Sequence, residues 1–450
     1  MPAHHTGFET ALPAVVVGGG PAGLAAALAL ARSGVETALV ASPPAAGAPP
    51  DTRTAALFAG SIRLLVNIGL WDAVAGHAAP IAAIRLVDDT GGLLRAPETS
   101  FTARDAGLEA FGYNVPNQAL VDALWEAVRA EPGLRLVAGS LLVEIKADAE
   151  RTRLTLGDGR QLAARLVVAA DGRKSLCRAA AGIATRSWSY DQAALTCTFA
   201  HSRPHHAVST ELHRNAGPLT TVPMPGRASS LVRVERPAAA ERLKSLPEAA
   251  FRDELERRLQ GLLGSIGEIG PRAAFPLSGL TAEPFAQSRV ALVGEAGHVI
   301  PPIGAQGLNL GLRDAATIAE IAAAAVARGD DPGGPQALDA YARARRIDVT
   351  SRVWTVDVLN RSLISGLLPV HMVRGAGIAA LNLLGPLRRA VVREGLEPSG
   401  PVPALMRDDF RAPGGAAARP GDRSGDRSGD RPGDRSGDRA GDRPAASGPA

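Results

Sequence analysis

The chain has few cysteines, and this scarcity excludes several kinds of site. Only Cys177 and Cys197 occur in 450 residues. Two cysteines cannot form a disulfide framework, a four-cysteine zinc site or an iron–sulfur cluster, and they fit a reducing compartment. The histidine pairs at 4–5 and 205–206 lack cysteine or carboxylate partners at ligand spacing. We therefore expect no metal site.

Long hydrophobic runs and blocks of one charge sign are also missing. The longest apolar stretch, 363–384, contains Pro369, His371 and Arg374, so it is unsuited to span a bilayer. Lysine plus arginine (49) nearly balances aspartate plus glutamate (45), and the signs are interleaved. We therefore expect no nucleic-acid partner. The N-terminus lacks the pattern of a secretory signal, so we expect a cytoplasmic protein.

Glycine (50 residues) and proline (34) are abundant, and part of the surplus lies in the last segment of the chain. Six Gly-Asp-Arg-x units run from Gly421 to Pro444. With no apolar residue larger than alanine, such a repeat cannot offset the entropy cost of ordering. We predict that residues 413–450 are disordered. An RNA-binding tail is the alternative, but alternating aspartates cancel the charge and aromatic residues are absent.

The pattern of apolar residues predicts a doubly wound α/β fold with an inserted sheet. A βαβ unit opens the chain, and buried-type strands return twice later. Between those returns, short alternating runs indicate an antiparallel sheet, and two helices follow. The predicted strands lie at 14–17, 36–41, 165–170, 193–200, 207–213, 219–224, 229–235 and 289–293, and the predicted helices at 24–32, 306–328 and 337–358.

The first motif that carries chemistry is VVVGGGPAGL at 15–24, a GxGxxG between a strand and a helix. Gly18 permits the tight turn, Gly20 lets the backbone approach a pyrophosphate, and Gly23 lets the helix pack close to the strand. This context predicts dinucleotide binding. NAD and FAD both remain open, because the acid expected after the second strand is missing, with Ala41 and Ser42 there instead.

Two later motifs also follow predicted strands. AADGRKS at 169–175 places Asp171 at a strand end, where the alternative is a simple Asp-Gly turn. GEAGHVIPPIGAQGLNLGLRD at 294–314 places glycines at the start of a helix, near Gly307. Such glycines allow a flat ligand to approach, and the positive helix end stabilises an anion such as a reduced flavin. His298 either positions this loop or is a structural histidine.

In this order and spacing, the three motifs resemble those of the class A flavoprotein monooxygenases with the fold of p-hydroxybenzoate hydroxylase, specifically the ubiquinone-biosynthesis ring hydroxylases. The resemblance spans about residues 13–405. It implies a Rossmann-like FAD-binding domain, an inserted antiparallel-sheet substrate domain and a helical C-terminal region. We place the first at 13–75, 110–182 and 284–345, the second at 76–109 and 183–283, and the third at 346–405.

The resemblance also implies residue roles. The first motif would hold the ADP part of FAD, the second would serve flavin binding and NAD(P)H use, and the third would contact the ribityl chain and isoalloxazine ring. The stretches 51–57 and 117–120 resemble segments that bring an arginine and a polar side chain to the cofactor. The implied cofactor-binding residues are Gly18, Gly20, Gly23, Arg53, Gln118, Asp171, Gly172, Glu295, Pro302, Gln306, Gly307 and Asn309.

Four positions depart from the family pattern. Ala41 stands where a ribose-binding carboxylate is usual, and Glu295 replaces the usual aspartate of the third motif. Gly304-Ala305 stands where the family more often has Ala-Gly, and Gln118 where related enzymes often have arginine. The ribose must therefore be held in another way.

The function implied is FAD-dependent hydroxylation of a polyprenyl phenol in ubiquinone biosynthesis, with NAD(P)H reducing the flavin and O₂ supplying the oxygen. The chain has no second GxGxxG motif for NAD(P)H, which would therefore bind only transiently. The sequence names no catalytic side chain. Two alternatives stay open: an epoxidase or isoprenoid reductase on the same scaffold, and a non-catalytic flavoprotein of a quinone-biosynthesis complex, whose other proteins are candidate partners.

A further expectation concerns residues 359–392. They combine apolar clusters with flanking arginines, which favours peripheral contact at the inner face of the membrane, where a polyprenyl substrate resides. A helical hairpin that packs on the FAD-binding domain is the alternative, since core helices have the same pattern.

We predict that deletion of residues 413–450 leaves flavin content, turnover and melting temperature unchanged, because the repeats offer no apolar anchor for the folded domains. Thermal unfolding and NADPH or NADH oxidation by the shortened protein check this. A clear drop in melting temperature would contradict it.

Overall fold

The structure is a computed structural model, and it describes residues 11–45, 47, 51–91, 97–364 and 401–410. The tail predicted at 413–450 and most of the segment 359–392 lie outside the described residues. Among the described residues, no helix combines the length and apolar character needed to cross a bilayer.

The strands are β1 Leu12–Val17, β2 Thr37–Val40, β3 Thr54–Phe58, β4 Ala79–Ile81, β5 Ala83–Asp88, β6 Thr99–Thr102, β7 Gly112–Pro116, β8 Leu134–Val137, β9 Leu142–Ala147, β10 Thr152–Leu156, β11 Gln161–Ala169, β12 Ala184–His201, β13 Val208–His213, β14 Leu219–Met224, β15 Ala228–Glu235, β16 Ile266–Ile269, β17 Ala273–Glu283, β18 Ala286–Gln287, β19 Val290–Leu292 and β20 His298–Val299.

The helices are α1 Pro21–Arg32, α2 Ala59–Asn67, α3 Trp71–Ala75, α4 Asn117–Ala130, α5 Leu176–Ala180, α6 Pro237–Ser245, α7 Glu248–Leu259, α8 Gln306–Ala327 and α9 Pro335–Ile364. Short 3₁₀ turns lie at Ala103–Ala106, Gly294–Ala296, Ile303–Ala305 and Ala404–Met406.

The first sheet carries the nucleotide motif in its centre. Its main path runs β18-β19-β11-β1-β2-β8, and β1 pairs in parallel with both β11 and β2. Alternate residues of β1 face opposite sides. Ala14 and Val16 lie in the core with α1, α4 and α8, whereas Val15 and Val17 lie in a second core with β9, β10 and α5. Burial on both faces explains the unbroken apolar sequence of β1.

The second sheet is mainly antiparallel, in the order β20-β17-β12-β15-β14-β13-β5-β6, with one parallel pair between β5 and β13. Residues 195, 197 and 199 of β12 face α6 and α7, where they contact a cluster that includes Phe251 and Leu255. The opposite face looks towards a small third sheet, β3-β7-β4, where Thr54 Oγ1 donates to Ser230 Oγ at 2.8 Å. This hydrogen bond joins the second sheet to the third.

The architecture confirms the predicted fold class. The expected strands and helices are all present, with ends shifted by a few residues, except that β11 and β12 each begin several residues earlier and the last helix extends to Ile364. The domain limits remain a proposal. One short strand, β20, joins the second sheet although it belongs to the segment 284–345 assigned to the first domain, because Leu280 and Thr281 of β17 pair with it.

A buried ion network ties α8, α9 and the loop that follows β19. Oδ1 of the Asp314 carboxylate in α8 accepts a hydrogen bond from Arg345 Nε at 2.6 Å, whereas Oδ2 accepts from Gly294 N at 2.9 Å and lies 2.6 Å from His298 Nε2. Burial alone would raise the pKa of Asp314, but the charges of His298 and Arg345 outweigh it and hold the pKa below its usual value. Arg345 also donates to Asp348 at 2.7 Å.

We predict that Arg345→Met destabilises the protein by about 3–5 kcal/mol, because it leaves the buried Asp314 charge without its arginine. The matched control is Arg328→Met, whose pair with Asp330 is 57% and 47% exposed and should cost less than about 1 kcal/mol. Urea unfolding of both variants measures the difference. Equal losses would contradict the assigned role of Asp314.

Candidate active site

The turn between β1 and α1 has the shape that its glycines predict. Gly18 has a φ of +125°, and a Cβ there would lie 2.1 Å from the Ala170 carbonyl oxygen. A Cβ on Gly23 would lie 2.3 Å from the Gly18 oxygen. These two glycines are therefore required by the fold, because larger residues would separate α1 from β1 and β11.

Gly20 differs from both. It precedes α1 with an ordinary φ of −77°, and a Cβ there would meet no protein atom within 4 Å. The first turn of α1 contains no acidic residue and no side-chain cap. The N-terminus of α1 thus presents free N–H donors and a positive dipole to an open space beside Gly20, which suits a diphosphate.

Beyond β2, the place of the expected ribose carboxylate is filled by apolar groups. Ala41 is buried, and a Cβ on Gly19 would lie 3.1 Å from the Ala41 Cβ and 2.9 Å from Cζ2 of Trp125. Ser42 instead accepts a hydrogen bond from Gly139 N through its hydroxyl, at 3.1 Å. The structure supplies no acid at 41 or 42 to replace the missing one.

Asp171 lies beside the first motif, since Gly18 packs against the Ala170–Asp171 peptide. One carboxylate oxygen accepts from Cys177 N at 3.1 Å and so holds the start of α5. The other, Oδ1, is buried and has no hydrogen-bond partner in the described part of the chain. An unpartnered buried carboxylate oxygen is costly unless a ligand donates to it. Gly172, with a φ of +80°, completes the turn.

Arg53 and Gln118 meet at Asp51. Arg53 makes a bidentate pair with the Asp51 carboxylate, at 2.8 and 2.6 Å, and Asn117 donates to the same carboxylate at 3.1 Å. The Asp51 N–H donates to Gln118 Oε1 at 3.3 Å. Burial opposes ionisation of Asp51, yet the hydrogen bonds and charge of Arg53 hold its pKa below the usual value.

Arg53 also connects the site to two other parts of the chain. The hydrogen bond to Asp51 raises the pKa of Arg53, burial opposes this rise, and the negative charges of Asp51 and of nearby Glu295 add to it. On the other side, the guanidinium lies 5.1 Å from the centroid of the Phe275 ring on β17, a cation–π distance. Residues of the second sheet and of the third motif therefore lie near Arg53.

The loop before α8 contains a strained residue. Gly304 has a φ of +67° and Ala305 a φ of +53°, so both occupy the left-handed region. Glycine tolerates this conformation and alanine does not, at a cost of about 1 kcal/mol. Because alanine follows glycine here, the residue that directly precedes α8 is Ala305, which carries a Cβ in the left-handed conformation. Pro302 and Gly307 flank this turn and are exposed.

Two residues predicted to contact the flavin have extensive protein partners. Asn309 accepts from Phe58 N and Ser61 Oγ at 2.9 and 2.7 Å, and its amide donates to the carbonyls of Ala56 and Ala305. These four bonds hold β3 and α2 against the start of α8. Gln306 Oε1 accepts a hydrogen bond from Arg352 of α9. The position of Gln306 therefore depends on α9.

Sequence reasoning did not single out Asp51, Phe275 or Arg352. Asp51 stands two residues before Arg53, and that spacing is a usable signal because the pair closes through local backbone. Phe275 and Arg352 reach the site only through the folding of β17 and α9, so no local pattern marks them.

The arrangement fits FAD. The open space at Gly20, the unpartnered Asp171 Oδ1 and the start of α8, which has no acidic residue in its first turn, are features that bind an anionic, extended dinucleotide. The proposed FAD site is bordered by seven of the predicted residues and by one loop. These are Gly18, Gly20, Gly23, Arg53, Gln118, Asp171, Glu295 and the loop at 302–307. Their individual contacts with the cofactor remain predictions.

Comparisons with known proteins agree with this geometry. The sequence profile of the FAD binding domain family matches residues 11–355. The chain is 38% identical over 399 residues to the ubiquinone hydroxylase UbiL of Rhodospirillum rubrum, covering 87% of this chain and 92% of that protein. It is 30% identical over 387 residues to the 3-demethoxyubiquinol 3-hydroxylase of Escherichia coli, covering 85% and 97%.

A solved structure shows the same fold at lower sequence identity. The p-nitrophenol 4-monooxygenase PnpA of Pseudomonas putida aligns with a TM-score of 0.71 and 21% identity, covering 87% of this chain and 99% of that one. This likeness concerns the architecture of the sheets and helices described above.

We predict that Gly20→Val folds with a melting temperature close to that of the wild-type apoprotein but loses flavin, because its side chain enters space that contains no protein atom. Flavin absorbance of the purified protein measures the loss. Gly23→Val is the contrast, since its Cβ overlaps the Gly18 oxygen and the variant should be unstable. Full flavin content in Gly20→Val would refute the assigned binding site.

Proposed function

This chain belongs to the FAD binding domain family and is an FAD-dependent monooxygenase, and from that premise we propose that it hydroxylates the ring of a polyprenyl phenol in ubiquinone biosynthesis. NAD(P)H and O₂ are its co-substrates. The observation that carries the proposal is the convergence of three motifs on one open path, bordered by the second sheet at Phe275.

In this proposal the backbone of the first motif binds the cofactor diphosphate. The N–H groups at the start of α1 donate to it, and Gly20 leaves the room that it needs. Asp171 Oδ1 accepts a hydrogen bond from the cofactor, and this gives the buried oxygen its missing partner. Asp51 fixes the direction of Arg53, whose positive charge offsets the charge of the diphosphate.

The start of α8 acts at the other end of the cofactor. Bound FAD would supply the redox chemistry: it would accept hydride from NAD(P)H and deliver one oxygen atom from O₂ to the aromatic ring of the substrate. The N-terminus of α8 stabilises negative charge on the reduced ring system, because its dipole and free N–H groups face the loop at 304–307. Arg352 holds Gln306 beside this end of the helix.

We assign the substrate to the face of the second sheet that looks towards β3. Ser230 marks this face through its contact with Thr54. Val232 lies two residues further along β15, Val222 is opposite Ser230, and Phe275 is opposite Ala194 in β12. Alternation along strands puts these side chains on one surface. The valines and Phe275 of this surface suit a phenol ring, and the hydroxyls of Ser230, Thr196 and Thr198 lie on the same face.

A membrane is the proposed source of the substrate, because the polyprenyl chain is retained in a bilayer by about 0.8 kcal/mol per buried methylene. Peripheral contact at the inner face of the membrane, and contact with other quinone-biosynthesis proteins, are parts of this proposal. Neither contact requires a spanning helix.

The test is product analysis with purified holoprotein, NADH or NADPH, O₂ and a short-chain prenyl phenol. We expect substrate-dependent oxidation of the nicotinamide cofactor and a product that gains one oxygen atom on the aromatic ring. Flavin-free Gly20→Val is the control and should show neither. Oxygen on the prenyl chain would indicate an epoxidase, gain of two hydrogens a reductase, and absence of turnover a non-catalytic flavoprotein, and each outcome would overturn the proposal.

A further inference from the structure

The outward face of α9 carries an apolar stripe. Ile347, Trp354 and Val358 are 76%, 67% and 44% exposed. Their spacings of seven and four residues put them on one side of the helix, over about 16 Å at 1.5 Å per residue. Exposed tryptophan is unusual on a surface without a partner. These three residues form the apolar stripe.

The charged residues of the outward face lie at one end of the stripe. Thr350, Ser351 and Thr355 are the exposed residues beside it and are uncharged. Arg346 directly precedes Ile347 and Arg343 lies about one turn before it; both are exposed, and neither has an ion-pair partner in the part of the chain that the structure describes. The exposed Asp339 lies one turn further from the stripe.

The acids of the same helix half turn inward. Asp348 binds Arg345 at 2.7 Å and Arg352 at 3.0 Å, and Asp357 accepts from Tyr190 of β12 at 2.6 Å. The outward face is therefore apolar at one end, and the other end carries two arginines nearest the stripe and one aspartate beyond them.

The inward face of the same turns reaches the proposed active site. Arg352 donates to Gln306, the first residue of α8, and Tyr190 connects Asp357 to the second sheet. Only the helix itself, about 10–12 Å in diameter with its side chains, separates the stripe from the loop at 302–307. A surface that docks on the stripe is thus brought close to the site that needs an apolar substrate.

We propose that this stripe is the surface by which the protein docks on an anionic lipid bilayer, with Trp354 and Ile347 in the interface and Arg343 and Arg346 on headgroup phosphates. Tryptophan prefers the headgroup region, and arginines there are attracted by anionic lipids. A second copy of the chain suits the stripe less, because three side chains in a row fall well short of the roughly 800 Å² per partner of a stable interface. This inference rests on the proposed function, which requires a membrane-borne substrate.

The main test is flotation of full-length holoprotein with vesicles of phosphatidylcholine and phosphatidylglycerol. The double variant Ile347→Ser/Trp354→Ser should bind about tenfold more weakly or worse, because two interfacial apolar side chains are lost. Leu141→Ser/Val143→Ser is the matched control: these β9-hairpin residues are 77% and 55% exposed and should leave binding unchanged. Flavin content and turnover of a short-chain phenol should be equal in all three proteins.

A charge variant separates the electrostatic contribution to vesicle binding from the apolar contribution. Arg343→Glu/Arg346→Glu should lose binding to anionic vesicles in low salt, and its residual binding should equal that of wild type on phosphatidylcholine alone. Unchanged binding of this variant to anionic vesicles would show that the arginines do not face the headgroups and would overturn the assigned orientation.

A label reports on the stripe directly. Both native cysteines are buried, so Ile347→Cys can carry the only reactive label, an environment-sensitive fluorophore, with Val143→Cys as control. Vesicles should shift the emission of the first label to the blue and leave the second unchanged. A label at 347 already shielded without vesicles, or a dimer in light scattering that the serine variant abolishes, would mean that the chain itself or a second copy covers the stripe.

The outcomes separate this inference from the proposed function. Wild type that oxidises the short-chain phenol but does not float in low salt would overturn the docking surface alone. Wild type that floats through the stripe but never hydroxylates a phenol would overturn the proposed function and leave the docking surface standing.

Discussion

The buried carboxylate of Asp314 is the interaction on which the site depends most. It accepts hydrogen bonds from the backbone at Gly294, contacts His298 and binds Arg345. One charge therefore connects the segment 294–298, which follows β19, to α8 and α9. A buried charge of this kind tolerates no loss of a partner, because desolvation must be offset by every hydrogen bond that it makes. The geometry of the third motif follows from this constraint.

Around that anchor the site is built mainly from backbone. Gly18 and Gly23 allow α1 to approach the first sheet, and the space at Gly20 is left free. Two of the predicted polar ligands also have protein partners: Asn309 makes four hydrogen bonds to β3, α2 and the loop, and Arg53 is held by Asp51. Helix ends and peptide groups keep their direction better than long side chains do, and this suits a large anionic cofactor.

Helix α9 has a double role in this arrangement. Its inward residues Arg345 and Arg352 hold Asp314 and Gln306, and Asp357 reaches the second sheet. Its outward residues form an apolar surface beside two arginines. One helix carries both faces, so a membrane that contacts the outward face lies only a short distance from the loop at 302–307.

The sequence by itself determined the fold class, the order of the elements and the use of FAD. Glycine spacing and apolar periodicity are local properties, so the turn at 18–23, the strands of the first sheet and the helix that starts at Gln306 could be predicted from nearby residues. Only the tertiary structure decided which groups meet: Phe275 over Arg53, Arg352 on Gln306, Arg345 on Asp314, and the outward direction of Trp354. Phe275, Arg345, Arg352 and Trp354 belong to no motif, and the contacts that the first three make with motif residues join segments far apart in the chain. Such contacts depend on how sheets and helices pack in three dimensions, and a one-dimensional pattern does not record that packing.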